Sequence, residues 1–352
     1  MQTQVIPFTR ESFASIIEQL QQWGCVALPT ETIYGLFADA TDEDAVRSVF
    51  MAKWRPASNP VIIHADSVAM IEQYAIIRSP LERLLLEKLT PWPFTIALQK
   101  QSNLADSVTA WLDTVCVRIP DHHLLRQLIH DYGRPLAWPS ANTSGKPSPS
   151  SAAMVKYDMD GKISLIADGG KTLYGIESTV VVVEGDTIRI LRPGYITDED
   201  IRAVLDEAGS DAQIQIIYDD KWPNISPGSR FTHYAPQGKV TVVDTLDSIQ
   251  KYFVWQSESI ASWKTALIAT DEFLADHDDT ITKLHSQYGL ITMPWWSTSN
   301  LLRCAQSLYQ LYHDADRLGI TQIFIQQLPH ADKGVGYAIM NRVWRSAEVQ
   351  SK

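Results

Sequence analysis

The chain has 352 residues, of which 45% are hydrophobic and 20% charged, and its net charge is -11 at pH 7. That length favours two domains, each able to bury its own core without a disulfide or metal staple. The acidic balance argues against tight direct binding of nucleic acid, which needs a basic face, and no stretch reaches the roughly 18–20 apolar residues that span a bilayer.

The start, Met1-Gln2-Thr3-Gln4-Val5-Ile6-Pro7, lacks the basic and apolar blocks of a signal peptide, so the cytosol is the expected compartment. Cys25, Cys116 and Cys304 are far apart and odd in number. This excludes a disulfide framework and zinc spacing, and Cys25 and Cys116 read as core residues.

Ser12 to Trp23 predicts a helix, with Phe13, Ile16, Ile17 and Leu20 on one face, and Gly24 stops it. Cys25–Leu28 predicts a buried strand, and Pro29 opens a loop. A helix follows over 42–51, a strand over 61–63 and a helix over 80–89. Further strands are expected at 95–98, 115–119, 163–166 and 178–183. This describes an α/β domain over residues 1–205. Residues 206–237 read as a connector, with Pro and Gly punctuating Trp222-Pro223-Asn224-Ile225-Ser226-Pro227-Gly228. A second α/β unit spans 238–352, with strands at 240–243, 266–269 and 323–325. Its long helix, 300–318, carries Leu301, Leu302, Ala305, Leu308, Leu311 and Tyr312 on one side. Alternating strands and helices suggest a small doubly wound domain.

Three clusters carry polar chemistry. Pro29-Thr30-Glu31-Thr32-Ile33-Tyr34-Gly35-Leu36 follows a buried strand, where α/β folds place ligands; it is equally a helix start capped by Thr30 or Thr32. Lys53-Trp54-Arg55-Pro56-Ala57-Ser58-Asn59-Pro60 sets two cations two residues apart, which in extended chain point the same way and suit a triphosphate. A solvated charge pair is the alternative. Pro139 to Ser150 is rich in small donors that could face phosphate or ribose, or simply form a surface loop. Gly170-Lys171-Thr172 is no P-loop, because Leu165 stands where its first Gly is required. Asp121-His122-His123 lacks the accompanying acidic motifs of a metal-dependent phosphoesterase.

Together PTETIYGL, KWRPASNPVIIH, VRIPDH, PSANTSGKPSPS, ESTVVVV, ILRPGYIT and SPGSRFTHYAP resemble, in order and along nearly the whole chain, the YrdC-like threonylcarbamoyl-AMP synthases in their long form. The resemblance implies a twisted sheet with helices around a concave cavity, plus a smaller Rossmann-like α/β domain at the C-terminus. It implies that threonine and bicarbonate form an N-carboxy-threonine whose carbamate oxygen attacks the α-phosphate of ATP. Pyrophosphate leaves, and a downstream transferase machinery uses the product to modify tRNA. By resemblance, Lys53 and Arg55 face the phosphates with Mg2+ sharing the charge, and no protein side chain is assigned to the metal. Asn59, Thr114, Ser140, Asn142, Ser148 and Arg192 line the nucleotide site, and Tyr234 in the connector closes over it as a lid. Thr32, His64, Arg118, Trp138 and Ser178 match the threonine-holding positions.

Trp54, Trp92 and Trp138 depart from the family pattern by putting three large rings near the pocket. The intact motif around Trp138 favours its ring facing outward. These rings motivate a second reading, a paralogue activating another amino acid. A third is a non-catalytic nucleotide- or RNA-binding module, against which the retained Lys53, Arg55, Ser140 and Asn142 and the acidic charge both count.

Overall fold

The computed structural model describes residues 2–22, 24–217, 234–255, 264–329 and 331–348. The chain divides into two compact units: residues 1–144 with 148–231, and residues 145–147 with 232–352.

The first unit is built on a 12-stranded sheet. Its strands in chain order are β1 (Gln4–Pro7), β2 (Val26–Pro29), β3 (Tyr34–Asp39), β4 (Ile62–His64), β5 (Ala75–Ile76), β6 (Phe94–Lys100), β7 (Thr114–Arg118), β8 (Leu136–Trp138), β9 (Leu165–Asp168), β10 (Thr179–Glu184), β11 (Thr187–Arg192) and β12 (Gln213–Ile216). They hydrogen-bond in the order β1-β9-β2-β3-β8-β4-β7-β6-β10-β11-β12, with β5 pairing β6 off that path. The middle strands are buried on both faces, so their sequences run continuously apolar instead of alternating: Val26–Pro29 and Tyr34–Asp39 are buried at every position.

The helix Glu43–Lys53 shows how local chemistry places a functional residue. The Asp42 carboxylate accepts from the Asp44 and Ala45 N–H groups, and Glu43 and Asp44 favour the positive end of the helix dipole. Ala45, Val46, Val49 and Phe50 bury one stripe, and Ala45 and Val49 join the core formed by Ala27, Leu36, Ala38 and Ile166. The helix runs to Lys53 and ends on Trp54 in the left-handed region, φ 53°. The sequence predicts an end at 51 and extended chain around Lys53. The extra turn forms because Lys53 buries its side chain beneath the loop after β8.

The first unit also continues past 205. Helix Asp198–Glu207, with Thr197 and Asp200 in a reciprocal capping box, leads to β12, which pairs in parallel with β11. Trp23 and most of the connector, including Trp222 to Gly228, lie outside the described residues.

The second unit holds a four-stranded sheet of β13 (Lys239–Val243), β14 (Thr265–Ala269), β15 (Ile291–Pro294) and β16 (Gln322–Gln326), ordered β13-β16-β14-β15 and parallel throughout. Parallel neighbours require crossovers, which are helical here. The longest, Leu301–Leu318, is capped by the Asn300 side chain and stopped by Gly319 at φ 68°. It buries Cys304, Ala305, Leu308, Tyr309, Tyr312 and Ala315, whereas Leu301, Leu302 and Leu311 are only half-buried. β15 escapes sequence detection because it is four residues long, mostly uncovered, and closes on Pro294.

Candidate active site

β2 and β3 form an antiparallel hairpin whose turn is Thr30–Ile33. The Thr30 hydroxyl accepts from the N–H groups of Thr32 (3.0 Å) and Ile33 (3.1 Å). Such a turn resembles a helix cap, but a strand follows it. The Tyr174 N–H donates to the Glu31 carbonyl at 2.8 Å and the Gly175 N–H to the Thr32 carbonyl at 3.0 Å, fixing the turn.

Strand pairing then assembles one wall. β4 pairs β7 with His64 opposite Arg118, and β4 pairs β8 with Ile62 opposite Trp138. Because side chains alternate across a sheet, His64, Arg118, Trp138 and Phe37 share a face. All four are buried. The Arg118 guanidinium donates to the Thr32 hydroxyl at 3.0 Å and to one oxygen of the Glu31 carboxylate. The Trp138 ring meets His64 edge-on at 4.7 Å between centroids, and Arg118 lies 5.9 Å from its centre.

The expectation that Trp138 faces outward is therefore overturned. Its ring is 3% exposed and fills the space above Gly35, where a Cβ would coincide with the indole Nε1. Gly35 makes that room, and it also bridges to Ser140. The other two rings lie at the surface, Trp54 being 75% and Trp92 47% exposed. Trp54 holds a left-handed backbone, φ 53°, a conformation that costs a residue with a Cβ more than it costs glycine.

Within this wall several buried polar atoms have no partner: Nε of Arg118, Oε2 of Glu31, both ring nitrogens of His64 and Nε1 of Trp138. Burial, with the Arg118 charge beside it, holds His64 well below its ordinary value, so the ring is neutral. Ser178 joins a neighbouring group: its hydroxyl lies 2.8 Å from that of Thr95, and Arg192 donates to both its carbonyl and its hydroxyl at 3.1 Å. Gly194 allows this approach, since a Cβ there would overlap the Thr179 amide nitrogen.

The second wall surrounds the loop after β8. Lys53 is 1% exposed, and its ammonium donates to the Ser140 and Asn142 carbonyls and to Asn142 Oδ1 at 3.4 Å. Burial and the nearby Arg55 charge push its pKa well below the usual lysine range. Arg55 donates to the carbonyls of Asn59 (3.1 Å) and Pro60 (2.7 Å), closing its own turn. The two cations thus reach separate carbonyl sets instead of projecting side by side from extended chain. Asn59 is buried with Nδ2 unpaired, Thr114 opens β7 half-buried, and Ser148 donates to the buried Glu177 carboxylate at 2.7 Å. Tyr234 belongs to the second unit, where it stacks on Tyr309 at 5.6 Å with φ 70°.

The sequence reading assigned no role to Glu31, Glu177 or Thr95. Glu31 and Glu177 stand inside PTETIYGL and ESTVVVV, and buried acids in such runs are the signal that could have exposed them.

Two family models together cover the chain. The Sua5/YciO/YrdC model, described as telomere recombination, matches residues 18–194, and the threonylcarbamoyl-AMP synthase C-terminal domain matches residues 196–348. The chain is 35% identical to the threonylcarbamoyl-AMP synthase of Bacillus subtilis, over 92% of its own length and 89% of the relative's. It is likewise 35% identical to that of Pyrococcus abyssi, over 92% and 90%. The crystal structure of P. abyssi Sua5 complexed with L-threonine matches with a TM-score of 0.84 at 32% identity, covering 99% of this chain and 98% of that one. Fold and relatives define an enzyme of the nucleotidyl-transferring class. The chain belongs to the threonylcarbamoyl-AMP synthase family, in the two-domain form. Among the described residues no helix is long and apolar enough to cross a membrane.

Proposed function

We propose that this chain joins L-threonine, bicarbonate and ATP into threonylcarbamoyl-AMP and pyrophosphate, supplying a transferase machinery that modifies tRNA in the cytosol. The observation that carries the reading is the set of unpaired buried polar atoms on Arg118, Glu31, His64 and Trp138. Folded proteins rarely leave such groups unsatisfied, so the wall is built for a small polar ligand. It occupies a fold that, in the P. abyssi relative, was crystallised with L-threonine.

In this reading the free Nε edge of Arg118 takes the amino-acid carboxylate, and His64, Thr32, Trp138 and Ser178 surround the side chain. Threonine's amine and bicarbonate form the carbamate with loss of water. One carbamate oxygen then bonds to the α-phosphorus as the bond to pyrophosphate breaks. No protein nucleophile is needed; the chain aligns the reactants and excludes water from the labile carbamate. Lys53 acts on the phosphates through the Ser140–Asn142 loop that it ties down. Arg55, Asn59, Thr114, Ser140, Asn142, Ser148 and Arg192 are assigned to ATP. Mg2+ takes one or two carboxylates plus phosphate oxygens, and the buried Ser148–Glu177 pair is an oxygen donor set of that kind. When bound there, the ion would neutralise charge on the triphosphate.

The inward Trp138 ring favours one second reading, an enzyme for a smaller amino acid. Both readings are tested by pyrophosphate release with ATP, bicarbonate and, in turn, threonine, serine, valine and glycine. Threonine giving the highest rate supports the proposal, glycine or serine alone supports the second, and no release with any of them refutes both.

A further inference from the structure

We infer that Glu31 is a substrate-binding residue that receives the α-ammonium of the amino acid. The inference rests on the reading above and adds a residue to it. Arg118 is fully buried and Glu31 is 3% exposed, and they form an ion pair using one oxygen of the carboxylate. A pair serving only to hold the fold would satisfy the rest of both groups, because a buried charged atom without a partner is costly. Here the pair is open on both partners: Arg118 keeps a free donor at Nε and Glu31 a free acceptor at Oε2. One buried ion pair therefore offers one donor and one acceptor, each on a charge of the appropriate sign. An α-amino acid presents the complement, an acceptor carboxylate and a donor ammonium, and its zwitterion leaves the net charge of the buried wall unchanged. A ligand with the carboxylate alone would add an uncompensated negative charge next to Glu31.

The backbone supports this assignment. Glu31 is locked in the hairpin turn by the Tyr174 N–H on its carbonyl, and Thr32 beside it accepts from the same guanidinium. The carboxylate is thus positioned before any ligand arrives, which lowers the ordering cost of binding.

The test compares binding of L-threonine and of 3-hydroxybutanoate, which lacks the ammonium, to the full chain by calorimetry. Glu31→Gln should weaken threonine by about 10- to 100-fold, the scale of a buried charge-assisted hydrogen bond. It should leave 3-hydroxybutanoate within about threefold or tighten it, so the preference for the amine collapses. Equal weakening of both ligands would show a structural role and overturn the inference while leaving the proposed function intact. If Glu31→Gln fails to fold, Glu31→Asp decides: the anion remains, so the amine preference should persist as threonine weakens, and its loss overturns the inference. A wild-type chain that does not bind threonine would refute the proposed function, and the inference with it.

Discussion

Gly35 and Trp138 form a steric pair, and Gly35→Ala tests whether Gly35 makes the room that the buried indole fills. A methyl group at Gly35 would fall on the indole Nε1, so either the ring or strand β3 must move. β3 is hydrogen-bonded on both sides, to β2 and β8, and is buried along its length, so the ring should yield. Expelling a buried Trp forfeits most of what its truncation would, about 3–5 kcal/mol, and overpacking alone costs about 1–3 kcal/mol. A loss of about 3 kcal/mol, with a urea slope of about 2–3 kcal/mol/M, lowers the unfolding midpoint by about 1 M. In the Trp138→Ala background the same methyl enters vacated space, and its added cost should fall below about 1 kcal/mol. Urea denaturation of wild type, both single variants and the double variant measures this coupling. Equal cost of Gly35→Ala in both backgrounds would refute the steric pair and, with it, the argument that Gly35 makes room for the ring.

The same geometry sets three further outcomes. Arg55→Ala should reduce pyrophosphate release by about 100-fold, the scale of losing one preorganised donor, and should also lower the unfolding temperature because the Asn59 and Pro60 carbonyls lose their buried donor; near-normal turnover removes Arg55 from the mechanism. Gly194→Ala should destabilise by about 1–3 kcal/mol, because its Cβ meets backbone of Ser178 and Thr179 that cannot swing aside, and an unchanged melting temperature would contradict the close approach. His64 is held neutral in the fold, so below its ordinary pKa of about 6.5 the unfolded chain binds a proton that the folded chain refuses. Its contribution is complete above pH 6.5 and is lost as pH falls, by up to about 1.4 kcal/mol per unit. His64→Gln should flatten the stability profile between pH 6.5 and 5, and an identical profile would rule out a neutral buried imidazole.

Much of the site was legible because the motifs are local. Thr32, His64, Arg118, Ser178 and Arg192 lie in short runs whose composition is unusual for a core, and they gather in two groups, Thr32 and His64 with Arg118, and Ser178 with Arg192. What the sequence hid depends on strand register. Trp138 points inward because β8 pairs β4 with Trp138 opposite Ile62, and because Gly35 leaves space one strand away. Neither relation can be read from the run LAWPSAN, where an indole fits a surface equally well. The PTETIYGL segment reads as a loop because Thr and Glu dominate its start; only Thr30–Ile33 turns, and Tyr34 onward continues as buried strand. The strand β12 was missed because its burial alternates between exposed and half-buried, giving no apolar run.

How each buried cation is satisfied divides their work. A lysine ammonium has three donors, and Lys53 directs all three at oxygens of the loop after β8. A phosphate could reach that ammonium directly only by displacing a carbonyl, so in the proposed reaction Lys53 acts by fixing the Ser140–Asn142 loop. Burial and the neighbouring Arg55 charge both push its pKa down, and the carbonyl oxygens around the ammonium oppose that shift by favouring the charged form. Arg118 is the opposite case. Its guanidinium spends two nitrogens on Thr32 and Glu31 and leaves the third open. Position in a motif made Lys53 and Arg118 look alike as ligand-facing charges. Lys53 has its donors spent on the loop it holds, whereas Arg118 keeps one buried donor unspent, which is what the proposed carboxylate contact requires.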